Sequence, residues 1–282
     1  MGLLITGGSG YVGSHLKAAL DQKKIDYLAP SHHEFDIPDY NSVKSYFDKN
    51  DVTEVIHLAA ALDNDPAALF KTNIEGLYNL LKVSLEHKLE HLIFSSGNNI
   101  YGNMKNLPFK ESDKSDPMIN NSYGLSKYCG ELVVNDILSN TGITYSILRI
   151  GDIYGPEQKT GNLVKAIVKN TKEAMPQKLY GLGVRTRDYI YIDDVVNGII
   201  FTYEHRLNGT FNLATGVGTT VKELVAIAES ISKCQAPTIN VPVENEDLSK
   251  VILNIDKMKA AGFVPTVSIE DGLKRIINGG NY

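Results

Sequence analysis

Two hydrophobic periods alternate along the first 155 residues of this chain, and each switch between them marks a new element. Gly2 to Thr6 (GLLIT) is an apolar run of strand length, and from Tyr11 to Lys23 the apolar positions Val12, Leu16, Ala19 and Leu20 recur at helical spacing. Asp26 to Ala29 predicts a second strand, Asn41 to Lys49 a short helix, and Glu54 to Ala60 (EVIHLAA) a buried strand that ends in small residues. Asp65 and Pro66 suit the cap and first position of a helix whose inner face carries Leu69, Leu77, Leu80 and Leu81 and which reaches about His87. Asn73 is polar on that face, which predicts a buried hydrogen-bond partner. Leu92 to Ser96 predicts a strand, Ser122 to about Thr141 a helix, and Thr144 to Ile150 another strand. Strands and helices in this order predict an α/β fold built on a doubly wound parallel sheet.

Beyond Ile150 the alternation breaks down. A helix near Leu163 to Lys172, the segment Gly181 to Asp194 and the tail from about Thr219 predict a smaller lobe, while Asp194 to Tyr203 predicts a helix that returns to the first unit. The expected division is residues 1–155 plus about 185–215 for the main domain, with about 156–184 and 216–282 forming a small substrate lobe. No internal repeat and no linker divides the chain further.

Gly7, Gly10 and Gly13 fall between the first strand and the first helix. Such a turn points unpaired backbone N–H groups at one spot, where the helix dipole favours a phosphate. Glycines at this spacing also serve as a plain tight turn; the strand before and the helix after supply the context for a dinucleotide pyrophosphate, contacted by Gly7, Gly10, Tyr11, Val12 and Gly13. Leu58, Ala59 and Ala60 leave room for the cofactor backbone at the end of a later strand. His57, inside that apolar run, is expected to be a packed core histidine. The second strand ends in Pro30-Ser31-His32-His33, without the carboxylate that would hold a ribose 2′-OH for NAD and without an arginine for a 2′-phosphate. Ser31 and His32 can bond either cofactor, or simply form a solvated loop, and the missing carboxylate tilts the choice between NAD and NADP toward NADP. Asp36 and Ile37 are expected beside the adenine.

Composition narrows the partners. Over 282 residues the formal charge is -5 with no basic run, which argues against nucleic acid, and no apolar stretch approaches the ~20 residues of a membrane span. Cys129 and Cys234 show no metal-ligand spacing and no disulfide framework, so free thiols in a reducing compartment are expected, and no metal. With the first strand beginning at residue 2, no signal peptide is expected, and the chain is predicted to be cytoplasmic. All five arginines, Arg149, Arg185, Arg187, Arg206 and Arg275, lie in the second half, which places bidentate recognition of phosphate there.

Tyr123 and Lys127 are four residues apart and share a helix face. An ammonium beside a phenol lowers a pKa that is otherwise near 10, making the tyrosine a usable general acid or base, although the spacing also arises by chance.

Taken in order, Thr6-Gly7-Gly8-Ser9-Gly10-Tyr11-Val12-Gly13, His57-Leu58-Ala59-Ala60, Asn73, Tyr123 to Lys127, Leu148-Arg149 through Tyr154-Gly155-Pro156, and Arg187-Asp188-Tyr189-Ile190-Tyr191-Ile192-Asp193-Asp194 resemble the extended short-chain dehydrogenase/reductase family. That family comprises nucleotide-sugar epimerases, dehydratases and reductases on a Rossmann fold, and the resemblance covers nearly the whole chain. It implies that Tyr123 moves the proton on a sugar hydroxyl while nicotinamide exchanges the hydride, that Lys127 holds the nicotinamide ribose, and that Arg187 binds a substrate diphosphate. An ion pair of Arg187 with Asp188 or Asp193 is the structural alternative. Asn73 and Ser95 join the implied cofactor contacts, and Gly97, Asn98, Asn99 and Asp152 the substrate contacts.

Two positions depart from the family pattern. Gly97 stands where a Ser or Thr usually bonds the reacting hydroxyl, so either Ser96 or Asn98 takes that role or the step runs without it, about 10²-fold slower; Asp152 stands where an Asn usually touches substrate, and a carboxylate there repels a diphosphate, which implies a shifted substrate or one that is not an ordinary nucleotide sugar. The leading expectation is an NAD(P)-dependent oxidoreductase or epimerase acting on a nucleoside-diphosphate sugar. The alternatives are a reductase of a small non-nucleotide carbonyl compound on the same fold, and a non-catalytic NAD(P)-binding sensor. A homodimer through the helices at about Asp65 to His87 and Ser122 to Thr141 is also expected.

Overall fold

The computed structural model describes residues 2–62, 65–102, 106–113, 121–158, 163–232 and 237–279. Strand β1 (Gly2–Thr6) leads through the glycine turn into helix α1 (Tyr11–Lys23), and α2 (Tyr40–Lys49) precedes β2 (Val52–His57). Helix α3 (Pro66–Phe70) runs through one π-helical turn (Lys71–Glu75) into α4 (Gly76–Glu86), so the long helix is continuous but locally widened at Asn73. Strand β3 (His91–Gly97), α5 (Ser122–Leu138), β4 (Thr144–Ile150) and the short β5 (Asp152–Tyr154) follow. Then come α6 (Leu163–Lys172), β6 (Gln177–Tyr180), β7 (Thr186–Tyr191), α7 (Ile192–Glu204) and β8 (Gly209–Leu213). The tail forms β9 (Gly218–Thr220), α8 (Val221–Ser232), β10 (Thr238–Val241), β11 (Lys250–Val251), α9 (Asp256–Ala261) and α10 (Ile269–Asn278).

The main sheet is parallel throughout, in the order β1-β2-β3-β4-β8. The strand expected at Asp26–Ala29 is reduced to one bridge, Leu28 against Leu4, held by Ile5 N–H to the Leu28 carbonyl (2.8 Å) and Leu28 N–H to the Leu3 carbonyl (2.7 Å). Pro30, two residues on, has no N–H to extend the ladder.

Successive residues on each strand face opposite layers, and the core divides accordingly. Leu3, Ile5, Ile56, Ile93 and Leu148 pack with α1 and α7 on one side, whereas Leu4, Val55, Leu92, Phe94 and Ile147 pack with α2, α4 and α5 on the other. Continuous apolar strands of this kind are what a parallel sheet covered on both faces requires. Helices α6, α8 and α10 pack on one another, and β7 pairs in parallel with β5 and β11 and antiparallel with β9. Two buried carboxylates tie the tail to this part of the molecule. Asp188 accepts from Thr215 N, Thr215 Oγ1, Gly216 N and Leu253 N, and Asp194 accepts from Thr266 N, Thr266 Oγ1 and Val267 N. Among the described residues no helix is long and apolar enough to cross a membrane.

Candidate functional site

All the parallel strands of the main sheet end on one side, and there a cavity of about 590 Å³ runs from the glycine turn to the start of α5. That volume lies within the range of small-molecule and cofactor sites. At its near end Gly7 has φ +72°, and a Cβ on it would sit 2.6 Å from Ala59 N; a Cβ on Gly13 would collide with the Gly7 carbonyl oxygen. Gly10 differs, because a Cβ there would meet only Gly7 O, at 3.2 Å, with open space beyond. Gly10 is also the N-cap of α1 and supplies no side-chain cap, so the first-turn amides face the cavity without a protein acceptor from that residue. This cradle and its apolar wall of Leu58, Ala59 and Ala60 fit a dinucleotide pyrophosphate and backbone.

The far end holds Tyr123 and Lys127, both of which line the cavity. The Lys127 ammonium is 2% exposed, donates to the Ser95 carbonyl (2.8 Å) and lies 5.1 Å from the Phe94 ring centre and 5.9 Å from that of Tyr123. Burial pulls Lys127 down from 10.5 to about 8, with the Glu131 carboxylate opposing, and burial pushes the Tyr123 phenol up to about 12. The expectation that the ammonium lowers the phenol's pKa is therefore reversed in the protein alone: loss of water outweighs the neighbouring charge, which is directed at Ser95 and Phe94 instead.

Residues 3–214 match the NAD dependent epimerase/dehydratase family. The chain belongs to that family. It is similar to a putative UDP-glucose 4-epimerase of Methanocaldococcus jannaschii, 28% identical over 98% of this chain and 97% of that protein. It is also similar to a UDP-glucose 4-epimerase of Halalkalibacterium halodurans, 28% identical over 91% of this chain and 88% of the relative. Among solved structures, the UDP-glucose 4-epimerase of Thermotoga maritima with UDP-glucose superposes with a TM-score of 0.89 at 30% identity, covering 99% of this chain and 98% of that one. The Thermus thermophilus UDP-glucose 4-epimerase in complex with NAD gives a TM-score of 0.88 at 25% identity, with the same coverage.

In this member of the epimerase/dehydratase family the residues singled out from sequence do not all reach the cavity. His32, Ile37, Ser95 to Asn99 and Asp152 line it together with the glycine turn, whereas Ser31, Asp36, Asn73 and Arg187 do not. Ser31 binds back on its own loop, its N–H and hydroxyl both donating to Glu34 Oε2 (2.9 and 2.7 Å), and His32 Nε2 lies 3.2 Å from Asp36 Oδ1. The loop thus carries two carboxylates, Glu34 and Asp36, a few places beyond the strand tip; both are engaged within the loop, and neither lines the cavity. Asn73 has its buried partners, as the polar position on an apolar face required. Its carboxamide accepts from Ala61 N (2.7 Å) and donates to Ala61 O (3.2 Å) and Ser126 Oγ (2.9 Å), so it braces the cavity wall against α5 rather than facing a ligand.

Ser96 does not offer its hydroxyl to a substrate. It is 5% exposed and donates to Glu131 Oε1 at 2.5 Å, in a buried network where Arg149 Nε and Nη2 also hold Glu131 and Arg149 Nη1 reaches Tyr101. Strand alternation sends Ser96 to that side and Ser95 and Gly97 to the other. Glu131 was legible in principle, since it lies one turn beyond Lys127 on the same face of α5. Gly124 is a second residue that spacing did not mark: a Cβ there would come within 2.8 Å of Asn99 O, so it lets the start of α5 close on the Gly97–Asn99 segment.

His57 is a core residue, with Nδ1 2.7 Å from Thr6 Oγ1 and its ring stacked on Phe94. Arg187 pairs with neither Asp188 nor Asp193. Its Nη1 donates to the Thr186 and Ser249 carbonyls, its Nη2 to Ser249 Oγ, and its Nε lies 3.7 Å from Asp152 Oδ2. Cys129 is a free thiol; Cys234, and residues 114–120 of the polar segment before α5, lie outside the described residues.

Proposed function

We propose that this protein is an NAD-dependent epimerase that interconverts UDP-linked hexoses by reversible oxidation at a carbinol carbon. One observation carries the reading: a single cavity joins the amide cradle at Gly10 to the half-buried Tyr123 and the buried Lys127. Similarity over the whole chain to UDP-glucose 4-epimerases supports the substrate class. When bound, the dinucleotide supplies reversible two-electron oxidation of the substrate alcohol. The chain's own residues do the rest. Amides of the Gly7 to Gly13 turn hold the pyrophosphate, and Lys127 holds the adjoining ribose. The Tyr123 hydroxyl exchanges a proton with the sugar hydroxyl; a negatively charged phenolate becomes accessible to it only as positive charge arrives nearby to offset burial. Apolar walls exclude water from the reacting carbon.

For the cofactor, Glu34 and Asp36 support NAD over NADP, against the tilt suggested by the strand tip alone. They put two carboxylates in the loop whose His32, Phe35 and Ile37 line the cavity, and negative charge there disfavours a 2′-phosphate relative to a free 2′-OH. For assembly, we propose a homodimer through α3, α4 and α5, whose outer faces expose Phe70, Tyr78, Leu125 and Leu132. Cytoplasmic residence remains our expectation.

Turnover of UDP-glucose to UDP-galactose, measured for the wild type and Tyr123→Phe with each cofactor, tests the proposal. Loss of turnover in the variant with NAD affinity nearly intact, and NADP binding at least tenfold weaker than NAD, are expected. Unchanged turnover in Tyr123→Phe would sink the assignment.

A further inference from the structure

Asp152 is a carboxylate that the protein itself leaves short of partners. It lines the cavity, its side chain is 36% exposed, and one oxygen accepts a single long hydrogen bond from Asn98 Nδ2 at 3.3 Å. A carboxylate can accept about four such bonds. The other oxygen forms a long ion pair with Arg187 Nε at 3.7 Å, beyond hydrogen-bonding distance, and three bonds hold the rest of the guanidinium to Thr186 and Ser249. Arg187 cannot swing closer without breaking three bonds. Burial holds the Asp152 carboxyl above its ordinary value even though Asn98, Arg187 and Arg185 all pull the other way. The cations supplied by the chain therefore offset the cost of burying the charge only in part.

Beside this carboxylate there is room. Gly97 lies opposite Ile150 in the β3–β4 register, two residues before Asp152, and also lines the cavity. A Cβ on Gly97 would meet nothing closer than Asn99 N at 4.0 Å, and its φ of -139° is ordinary extended backbone open to any residue. No steric or conformational demand of the fold requires glycine there. Gly97 and Asp152 line the same cavity, and Asn98, next to Gly97 in the chain, is the residue bonded to the carboxylate.

We propose that this corner is a subsite for a cationic amino substituent on the hexose, with Asp152 as its acceptor and Gly97 as the space it occupies. The inference rests on the reading of the protein as a UDP-hexose enzyme and narrows its substrate to amino sugars. An ammonium placed there donates to the free lone pairs of Asp152 and adds a hydrogen-bonded counter-charge to the long ion pair with Arg187. It also offsets the negative charge of the diphosphate that Asp152 would otherwise augment. A neutral hydroxyl supplies one donor and no charge, and a hexuronate carboxylate meets repulsion.

The test is equilibrium binding, by calorimetry at pH 6.5 with NAD present, of UDP-hexoses that carry a free amine at C2, C3, C4 or C6. Each is compared with its N-acetyl counterpart, with UDP-glucose, with UDP-glucuronate and with UDP alone. At least one amine is expected to bind roughly tenfold to hundredfold more tightly than its acetylated counterpart, the range for a charge-assisted hydrogen bond in a partly buried site. UDP-glucuronate is expected to bind more weakly than UDP-glucose. The amine preference should collapse in Asp152→Asn, an isosteric change, and weaken in Gly97→Thr, which fills the space. If UDP and UDP-glucose bind but no amine gains over its acetylated counterpart, or if the preference survives in Asp152→Asn, the subsite is wrong while the broader reading stands. If UDP itself does not bind, both fall together.

Discussion

Lys127 places an ammonium in the interior with one hydrogen bond, to the Ser95 carbonyl, and that arrangement has a measurable cost in stability. Its pKa falls from 10.5 to about 8 because burial removes water from the charge, with Glu131 opposing only in part. In the unfolded chain the same lysine titrates near 10.4. Between pH 8 and 10.5 the unfolded state therefore binds more protons than the folded state, so this group makes the fold more stable as pH rises across that window. A difference of about 2.5 pKa units corresponds to roughly 3 kcal/mol in total, about three quarters of it gained by pH 10. Below pH 8 the contribution is flat. Tyr123, pushed up to about 12, acts in the opposite sense above pH 10 and sets the upper limit of the useful range. Urea unfolding of the wild type and Lys127→Met at pH 7 and pH 10 isolates the term, because every other titrating group cancels in the difference. The wild type should gain about 2–3 kcal/mol on the variant between the two pH values. A difference that stays level, or that moves in the variant's favour, would refute the claim that burial governs this lysine.

Three further outcomes follow from the same geometry. Glu131→Gln leaves the Arg149 guanidinium, 6% exposed, without its carboxylate, and removal of one partner of such a pair should lower stability by about 3–5 kcal/mol in denaturant unfolding. Gly13→Ala drives a methyl into the Gly7 carbonyl, so NAD affinity should drop at least tenfold in a fluorescence titration while Tyr123→Phe barely changes it; equal affinity in Gly13→Ala would remove the turn from the cofactor site. Leu132→Glu puts a charge on the outer face of α5, where the leucine is 50% exposed, and should shift sedimentation at micromolar concentration from dimer to monomer with no loss of fold.

Local pattern was enough for most elements. The apolar runs at Gly2–Thr6, His91–Gly97 and Thr144–Ile150 are strands because they are buried on both faces, and such strands announce themselves without reference to their neighbours. Asp65 and Pro66 start a helix for reasons contained in four residues, and the glycine turn lies at the junction of a strand and a helix that the sequence already marked. Tyr123 and Lys127 share a helix face by spacing alone.

Tertiary structure decided what those side chains face. Asp26–Ala29 has strand composition yet forms one bridge, because ladder pairing depends on a neighbour and on an N–H that Pro30 lacks. Ser96 and Asn98 looked equally able to replace a missing hydroxyl, but strand alternation sends Ser96 to Glu131, and Asn98 turns to Asp152. Glu34 and Asp36 lie three and five residues past Ser31 and turn back onto Ser31 and His32, through a fold of the loop that no periodicity encodes. The pKa values of Tyr123 and Lys127 were the least legible of all. Sequence spacing brings two groups together, whereas the sign of the shift depends on how much water the rest of the molecule removes, and that is a property of the whole packed chain.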